Sequence, residues 1–346
     1  MSFLMPTPKE KPKAAMLHAL REAADLEGRL DYSTFVSTAL YAPGIGYYAS
    51  RRERVGRHPD SDFYTARSLG PVFGRLVAAA CENLLGPESA KSATFVEIGA
   101  EPGSATLDDV EHSFADVRVL RLGDPLTVSG NVVVFANEWL DAQPFRRFRR
   151  DAERGWVERG VSIDKDGTLK ETDLPEKVFA DLHPTLPEQA PAGYLLDLPV
   201  GAADALSALV SQPWTGLFLT LDYGLPLRAF FEERPEGMAR AYRLHRVSAD
   251  LLTAPGEQDL TCHVCWDLLE EILRQKAFSE VTVERQETFF LQQAANVCEA
   301  IVTQGSDGRL SPERQTLLEL VHPGNMGARF QALFGLRKKT GGASSS

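Results

Sequence analysis

Two spacings of apolar residues alternate along this chain. From Ala14 to Leu26 the residues Met16, Leu17, Leu20 and Ala24 recur on one face of a helical turn, and Gly28 lies just past the end, which predicts a helix with a glycine stop. Asp31 is placed to cap a second helix over Tyr32 to Leu40, ended before Pro43. A long stretch rich in glycine and aromatics follows, YAPGIGYYASRRERVGRHPDSDFYTARSLGPVFG, with neither period. Its length predicts a lid or binding loop rather than a plain connector. A helix from about Val72 to Leu85 then leads to a β-rich run, Phe95, Val96 and Ile98, that breaks at Gly99.

Further runs read as strands at Val117 to Leu122, Val132 to Ala136, Leu217 to Leu221 and Glu280 to Glu284, and as helices at Ala202 to Val210 and Leu268 to Lys276. The Val132 run is almost continuously apolar, as a parallel strand buried on both faces must be. Phe145 to Thr172 instead alternates around a turn at Asp166-Gly167, which predicts antiparallel strands set off the main sheet. Strands separated by helical stretches predict an α/β fold with a doubly wound, Rossmann-like sheet, an N-terminal helical region and a helical C-terminal part. The expected organisation is a disordered N-terminus at 1–13, helices and lid loop over 14–90, a core over 91–144 and 191–300, an antiparallel insertion over 145–190, a C-terminal helical segment over 301–337 and a disordered tail over 338–346.

Charge narrows the partners. With 37 basic against 48 acidic residues the formal net charge is −11, so a phosphate backbone is repelled and nucleic acid is not the expected partner. No run approaches the roughly 20 apolar residues of a membrane span. The start MSFLMPTPKEKPK has no apolar core before a small-residue cleavage site, so membrane insertion is not expected and the expected compartment is the cytoplasm. Cys81, Cys262, Cys265 and Cys298 are too few for a disulfide framework. Cys262 and Cys265 have CxxC spacing around His263, yet no second pair completes a structural zinc site; they are read as buried reduced thiols, with no metal expected.

Three predicted strand ends carry polar groups that converge on one edge of such a sheet: Glu97 with Gly99 and Gly103, then Asn137, Glu138 and Asp141, then Asp222. Glycine after a strand admits close backbone approach of a ligand, although an ordinary strand-to-helix turn has the same form. Asp124 follows Gly99 at about the spacing of a ribose-binding acid, and equally fits a Gly-Asp-Pro turn. Glu138 and Asp141 can face one cation from two sides, and a guanidinium suits such a pair; an acidic first helical turn is the alternative.

Together these blocks resemble the MidA family of class I methyltransferases, which use S-adenosylmethionine and whose mitochondrial members assist complex I assembly by methylating an arginine. The likeness runs through Gly46-Tyr47-Tyr48, Asp62-Phe63-Tyr64-Thr65-Ala66, Pro71-Val72-Phe73-Gly74, Val96-Glu97-Ile98-Gly99, Ala136-Asn137-Glu138-Trp139-Leu140-Asp141-Ala142-Gln143-Pro144, Asp222-Tyr223-Gly224, Asp259 to Val264 and His322 to Gly327. The resemblance implies that Glu97, Gly99 and Gly103 hold the methionine part of the donor; Asp222 is expected as a further donor contact, and Asp124, from its spacing alone, as either a substitute ribose acid or a remnant. The resemblance also implies that the loop with Asp62 and Thr65 closes over the donor, and that Glu138 and Asp141 orient the acceptor, with Asn137 beside them as a further catalytic candidate. The implied partner is a protein substrate or assembly partner such as a respiratory complex subunit; whether the chain forms a homodimer is left open.

The chain also departs from that pattern. Glu101 stands where the family turn GxGxG has its middle glycine, the loop reads Thr65-Ala66-Arg67-Ser68 where TAPE is usual, and Cys265 replaces an aspartate. Only 27 residues separate Gly103 from Asn131, where helix, strand, helix and strand are usual, so one unit is expected to be deleted or much reduced. These departures imply a rival class: a non-catalytic relative that keeps the fold and partner surface but has lost or weakened donor binding.

Overall fold

The apolar run at 132–136 forms an inner strand of a six-stranded sheet in the computed structural model, which describes residues 13–50, 70–175, 182, 186–303 and 311–338. Of the expected disordered segments 1–13 and 338–346, all but residues 13 and 338 lie outside the described residues, as do the loop residues Asp62 and Thr65. The chain divides into two units, one of residues 64–141, 202–226 and 264–346, the other of residues 1–63, 142–201 and 227–263.

The first of these holds the sheet. Its strands are β1 (Thr94–Ile98), β2 (Asp116–Leu120), β3 (Gly130–Asn137), β4 (Trp214–Asp222), β5 (Ser279–Arg285) and β6 (Gln331–Arg337), in the order β5-β6-β4-β3-β1-β2. The strands β2, β1, β3 and β4 run parallel, while β6 is antiparallel to β4 and β5 antiparallel to β6. Successive side chains go to opposite faces, which explains the continuous apolar runs. Phe95, Val133, Phe135, Leu217 and Leu219 pack on one face against the helices Pro71–Leu85, Gln286–Gln293, Ala295–Thr303 and Pro312–Val321. Val96, Ile98, Val132, Val134, Ala136 and Phe218 pack on the other against the helices Val200–Val210 and Trp266–Gln275.

The sheet is thus covered on both faces as expected, with one difference from the sequence reading. The C-terminal part is not helical throughout: after the helix Pro312–Val321 it returns as β6, between β4 and β5. In the shortened stretch, β2 survives, but no helix stands on either side of it between β1 and β3. The strand becomes the sheet edge, with Leu122 beyond it 55% exposed.

The other unit packs the helices Ala14–Ala23 and Tyr32–Tyr41 with the antiparallel strands Arg29–Asp31, Arg146–Asp151, Gly155–Ile163, Leu169–Asp173 and Leu195–Leu198. Asp31 caps the second helix as predicted, accepting from the Thr34 N–H at 2.7 Å. Residues 227–263, expected in the core, belong to this unit and include a small sheet of Arg240–Arg243, Arg246–Ser248 and Asp259–Thr261. At its centre the guanidinium of Arg147, 4% exposed, donates from Nε and Nη2 to the fully buried Asp197 at 2.6 and 3.2 Å. Asp197 Oδ2 also accepts from the Met238 and Ala239 N–H groups, and Arg147 reaches Glu171 at 2.8 Å while lying over the Tyr32 ring.

Candidate functional site

Strand register assembles the site. Ile98 stands level with Leu120 on one side and Ala136 on the other, and Asn137 with Leu221. Gly99, Asn137 and Asp222 therefore leave the sheet along one edge, at the carboxyl ends of parallel strands, where open α/β folds bind ligands.

The glycine loop after β1 is held from three sides. Gly99 has φ +77°, its N–H donates to the Leu120 carbonyl at 2.9 Å, and an added Cβ would stand 2.9 Å from Cδ1 of Trp139. The missing side chain leaves room for the Trp139 indole, and the amide is already spent on Leu120. Gly103, φ +74°, faces open space, with no atom within 4 Å of where a Cβ would be. Glu97 is 4% exposed and both its oxygens are engaged: Thr106 donates its N–H and its hydroxyl, each at 2.6 Å. The carboxylate expected to hold the donor instead folds the loop back onto β1. On the far side, the Thr106 carbonyl presses on Gly74 of the helix Pro71–Leu85, leaving no room for a Cβ, and Arg121 Nη2 donates to the Ser104 carbonyl at 3.0 Å. Glu101, half-buried, lies within this loop. Asp124 beyond β2 is exposed, and its Oδ2 accepts from the Arg121 N–H at 2.8 Å, so the Gly-Asp-Pro turn is formed.

The turn after β3 is the second half. Residues 138–144 form no helix, which removes the acidic helix start as an explanation of Glu138 and Asp141. Glu138 adopts φ +50°, a left-handed conformation uncommon for a residue with a side chain. Its N–H donates to the Leu221 carbonyl at 2.9 Å, and its Oε1 accepts from Asn137 Nδ2 at 2.9 Å. The other amide atom, Asn137 Oδ1, is buried without a hydrogen-bond partner among the described residues. Asp141 is 5% exposed.

Asp222 fixes this turn from β4. Fully buried, it accepts from the N–H groups of Leu140 at 3.0 Å and Asp141 at 3.3 Å on Oδ2, and from Tyr223 at 2.8 Å on Oδ1. Its carboxylate is spent on the backbone, so its place in the site is to position Glu138 and Asp141. Burial pushes its carboxyl up to about 7, against the opposing pull of these amide donors. A raised carboxyl binds its proton more tightly folded than unfolded, so its stability contribution is largest in acid and falls as pH rises from about 4 to about 7. Urea unfolding at stepped pH is expected to show this loss, up to about 1.4 kcal/mol per pH unit, and Asp222→Asn is expected to remove it. An unchanged slope in the variant would assign the pH dependence elsewhere.

The four cysteines are buried and free, as read. Cys262 Sγ lies 3.8 Å from the Asp197 carbonyl, and burial pushes the Cys265 thiol up to about 12, away from nucleophilic use. His263 is pushed down to about 4 by burial, aided by Arg234 and Arg240. Among the described residues no three His, Cys, Asp or Glu side chains gather to hold a metal, and no helix is long and apolar enough to cross a membrane.

The sequence reading therefore places Glu97, Gly99, Gly103, Asn137, Glu138, Asp141 and Asp222 in the two turns of one sheet edge, with Asp124 past the neighbouring strand. It missed Thr106, Gly74 and Trp139, whose only signal was membership in quoted blocks or proximity to them.

The family model described as "Putative S-adenosyl-L-methionine-dependent methyltransferase" matches residues 84–283. The crystal structure of a "likely methyl transferase" from Burkholderia thailandensis bound to S-adenosyl-homocysteine is 27% identical at a TM-score of 0.78, covering 93% of this chain and 92% of that one. A native crystal structure of an uncharacterized protein of the same superfamily and organism is 26% identical at a TM-score of 0.76, covering 93% and 91%. No curated protein matches the chain.

Proposed function

Since the chain belongs to this S-adenosyl-L-methionine-dependent methyltransferase family, we propose that it transfers the donor's methyl group to an arginine of a partner protein, as the MidA resemblance implies. The observation that carries the reading is the Asn137–Asp141 turn beside Gly99, where a strained Glu138 backbone adjoins a buried amide oxygen that has no hydrogen-bond partner among the described residues. Such features persist where the surrounding structure enforces them, and they collect at binding sites. Gly103 faces open space, and Asn137 Oδ1 can accept from a ligand amine or hydroxyl, so these residues fit a donor of this kind.

When bound, the donor supplies a methyl group on a cationic sulfur, which leaves as a neutral thioether and needs little acid or base help. The chain's task is then to position and to exclude water. Glu138 and Asp141 grip the acceptor guanidinium, set the direction of its nitrogen lone pair and offset the charge that grows there as the N–C bond forms and the S–C bond breaks; the proton that the nitrogen sheds passes to one of these two carboxylates. Asp222 holds the turn that carries both acids.

Calorimetry with S-adenosylmethionine and S-adenosylhomocysteine tests donor binding, with saturable heat expected; no heat at millimolar ligand overturns it. Incubating the protein with labelled donor and a cell extract tests the acceptor: methylarginine is the expected product, and label on another side chain overturns arginine.

A second reading, an assembly protein with weakened donor binding, is favoured by Glu101 and by the engagement of Glu97 with Thr106. A carboxylate in the glycine loop repels the donor's own carboxylate. Under this reading Glu101→Gly raises affinity for S-adenosylhomocysteine severalfold, whereas an unchanged or weaker affinity removes the reason for it.

A further inference from the structure

Trp139 has no role in the steps above, yet it is the side chain that touches the glycine turn. From the position of an added Cβ on Gly99, its Cδ1, Cγ and Cβ lie at 2.9, 3.3 and 3.5 Å. The side chain is partly buried and packs against the apolar cluster on this face of the sheet, which includes Ile98, Leu120 and Ala136. Its place is set on both sides: the Glu138 N–H is tied to Leu221, and the Leu140 and Asp141 N–H groups are tied to Asp222. The backbone of the turn that carries the indole is thus pinned, and its side chain lies beside Gly99.

We propose that Trp139 determines the choice between donor and spent product, its ring meeting the positive sulfonium of S-adenosylmethionine; this rests on the donor-binding reading above. The π-face of an indole attracts a cation through its quadrupole and gives a neutral thioether only contact area. Transfer removes the charge from sulfur, and the same ring then holds the product less tightly, which favours exchange for fresh donor. Glu138 and Asp141 also favour a cation, so the ring's share has to be measured with both acids in place.

The test is calorimetry on the full chain with both ligands, for the wild type, Trp139→Leu and Trp139→Phe. The ratio of the Kd for S-adenosylhomocysteine to that for S-adenosylmethionine is expected to fall about 2- to 30-fold in Trp139→Leu and to stay within about threefold of wild type in Trp139→Phe. An equal ratio in wild type and Trp139→Leu overturns the proposal and leaves the donor reading standing. No binding of either ligand by the wild type overturns both. Should Trp139→Leu lose its thermal transition, uniform replacement of tryptophan by fluorinated analogues of the same shape decides the matter. Donor affinity is then expected to fall with each added fluorine while product affinity stays level, and parallel behaviour of the two overturns the proposal.

Discussion

Gly99→Val is expected to lower affinity for S-adenosylhomocysteine by about 100-fold while leaving a cooperative thermal transition. Two costs combine at this position. The backbone is held at φ +77°, where a side chain costs roughly 1–2 kcal/mol. The new Cβ would arrive 2.9 Å from Trp139 Cδ1, too close for either to stay, and overpacking of this kind costs about 1–3 kcal/mol. Together they reach about 3 kcal/mol, or about 100-fold if expressed in binding. The Gly99 N–H is already used by Leu120, so the loss reflects the strained turn and the displaced indole rather than a lost amide contact. Isothermal titration of the variant at high ligand concentration reads the effect directly. Affinity within threefold of wild type (roughly 0.7 kcal/mol) would place the donor away from this turn.

Arg147→Ala is expected to reduce unfolding free energy by about 3–5 kcal/mol, because it strands the fully buried Asp197 without its counter-charge. Burial works against ionisation of Asp197, but the Arg147 charge and hydrogen bonds, with the Met238 and Ala239 amides, hold its carboxyl below the ordinary value. A lowered carboxyl contributes stability that is present above the ordinary carboxylate range and is lost as pH falls through the folded value. In the variant the burial term is left with only the two amides to oppose it. The sign is then expected to reverse, with the variant gaining stability relative to wild type in acid. The double variant Arg147→Met, Asp197→Asn keeps an acceptor oxygen for both amides and removes the buried charge, and is expected to lose less than the single variant. Urea unfolding of the three proteins at two pH values separates these outcomes; equal losses in single and double variants would show that packing rather than charge is decisive.

What was legible in the sequence was local or periodic. Largely apolar runs at 95–98, 132–136 and 217–221, broken only by Glu97 and Thr220, announce strands buried on both faces, because alternate side chains must each meet a helix layer. Asp31 announces a helix start because its side chain can satisfy an amide only a few residues away. The shortness of 103–131 announces a lost layer, since a helical crossover cannot fit there, and both helices are absent while β2 remains. The strand β6 was not legible, because its short run follows a helix and gains its partners β4 and β5 only through long-range pairing.

The same division holds at the site. By itself the sequence determined which residue types stand at the strand ends, since glycine, amide and acid are written there in order. Only the tertiary structure decided which of the acids face inward to the backbone. Glu97 closes on Thr106 and Asp222 on the Leu140 and Asp141 amides, because burying a carboxylate is tolerable only where donors await it, and such donors come from residues folded near rather than near in sequence. The structure likewise decided that Trp139 meets Gly99, because that contact exists only when β1 and β3 lie side by side in register.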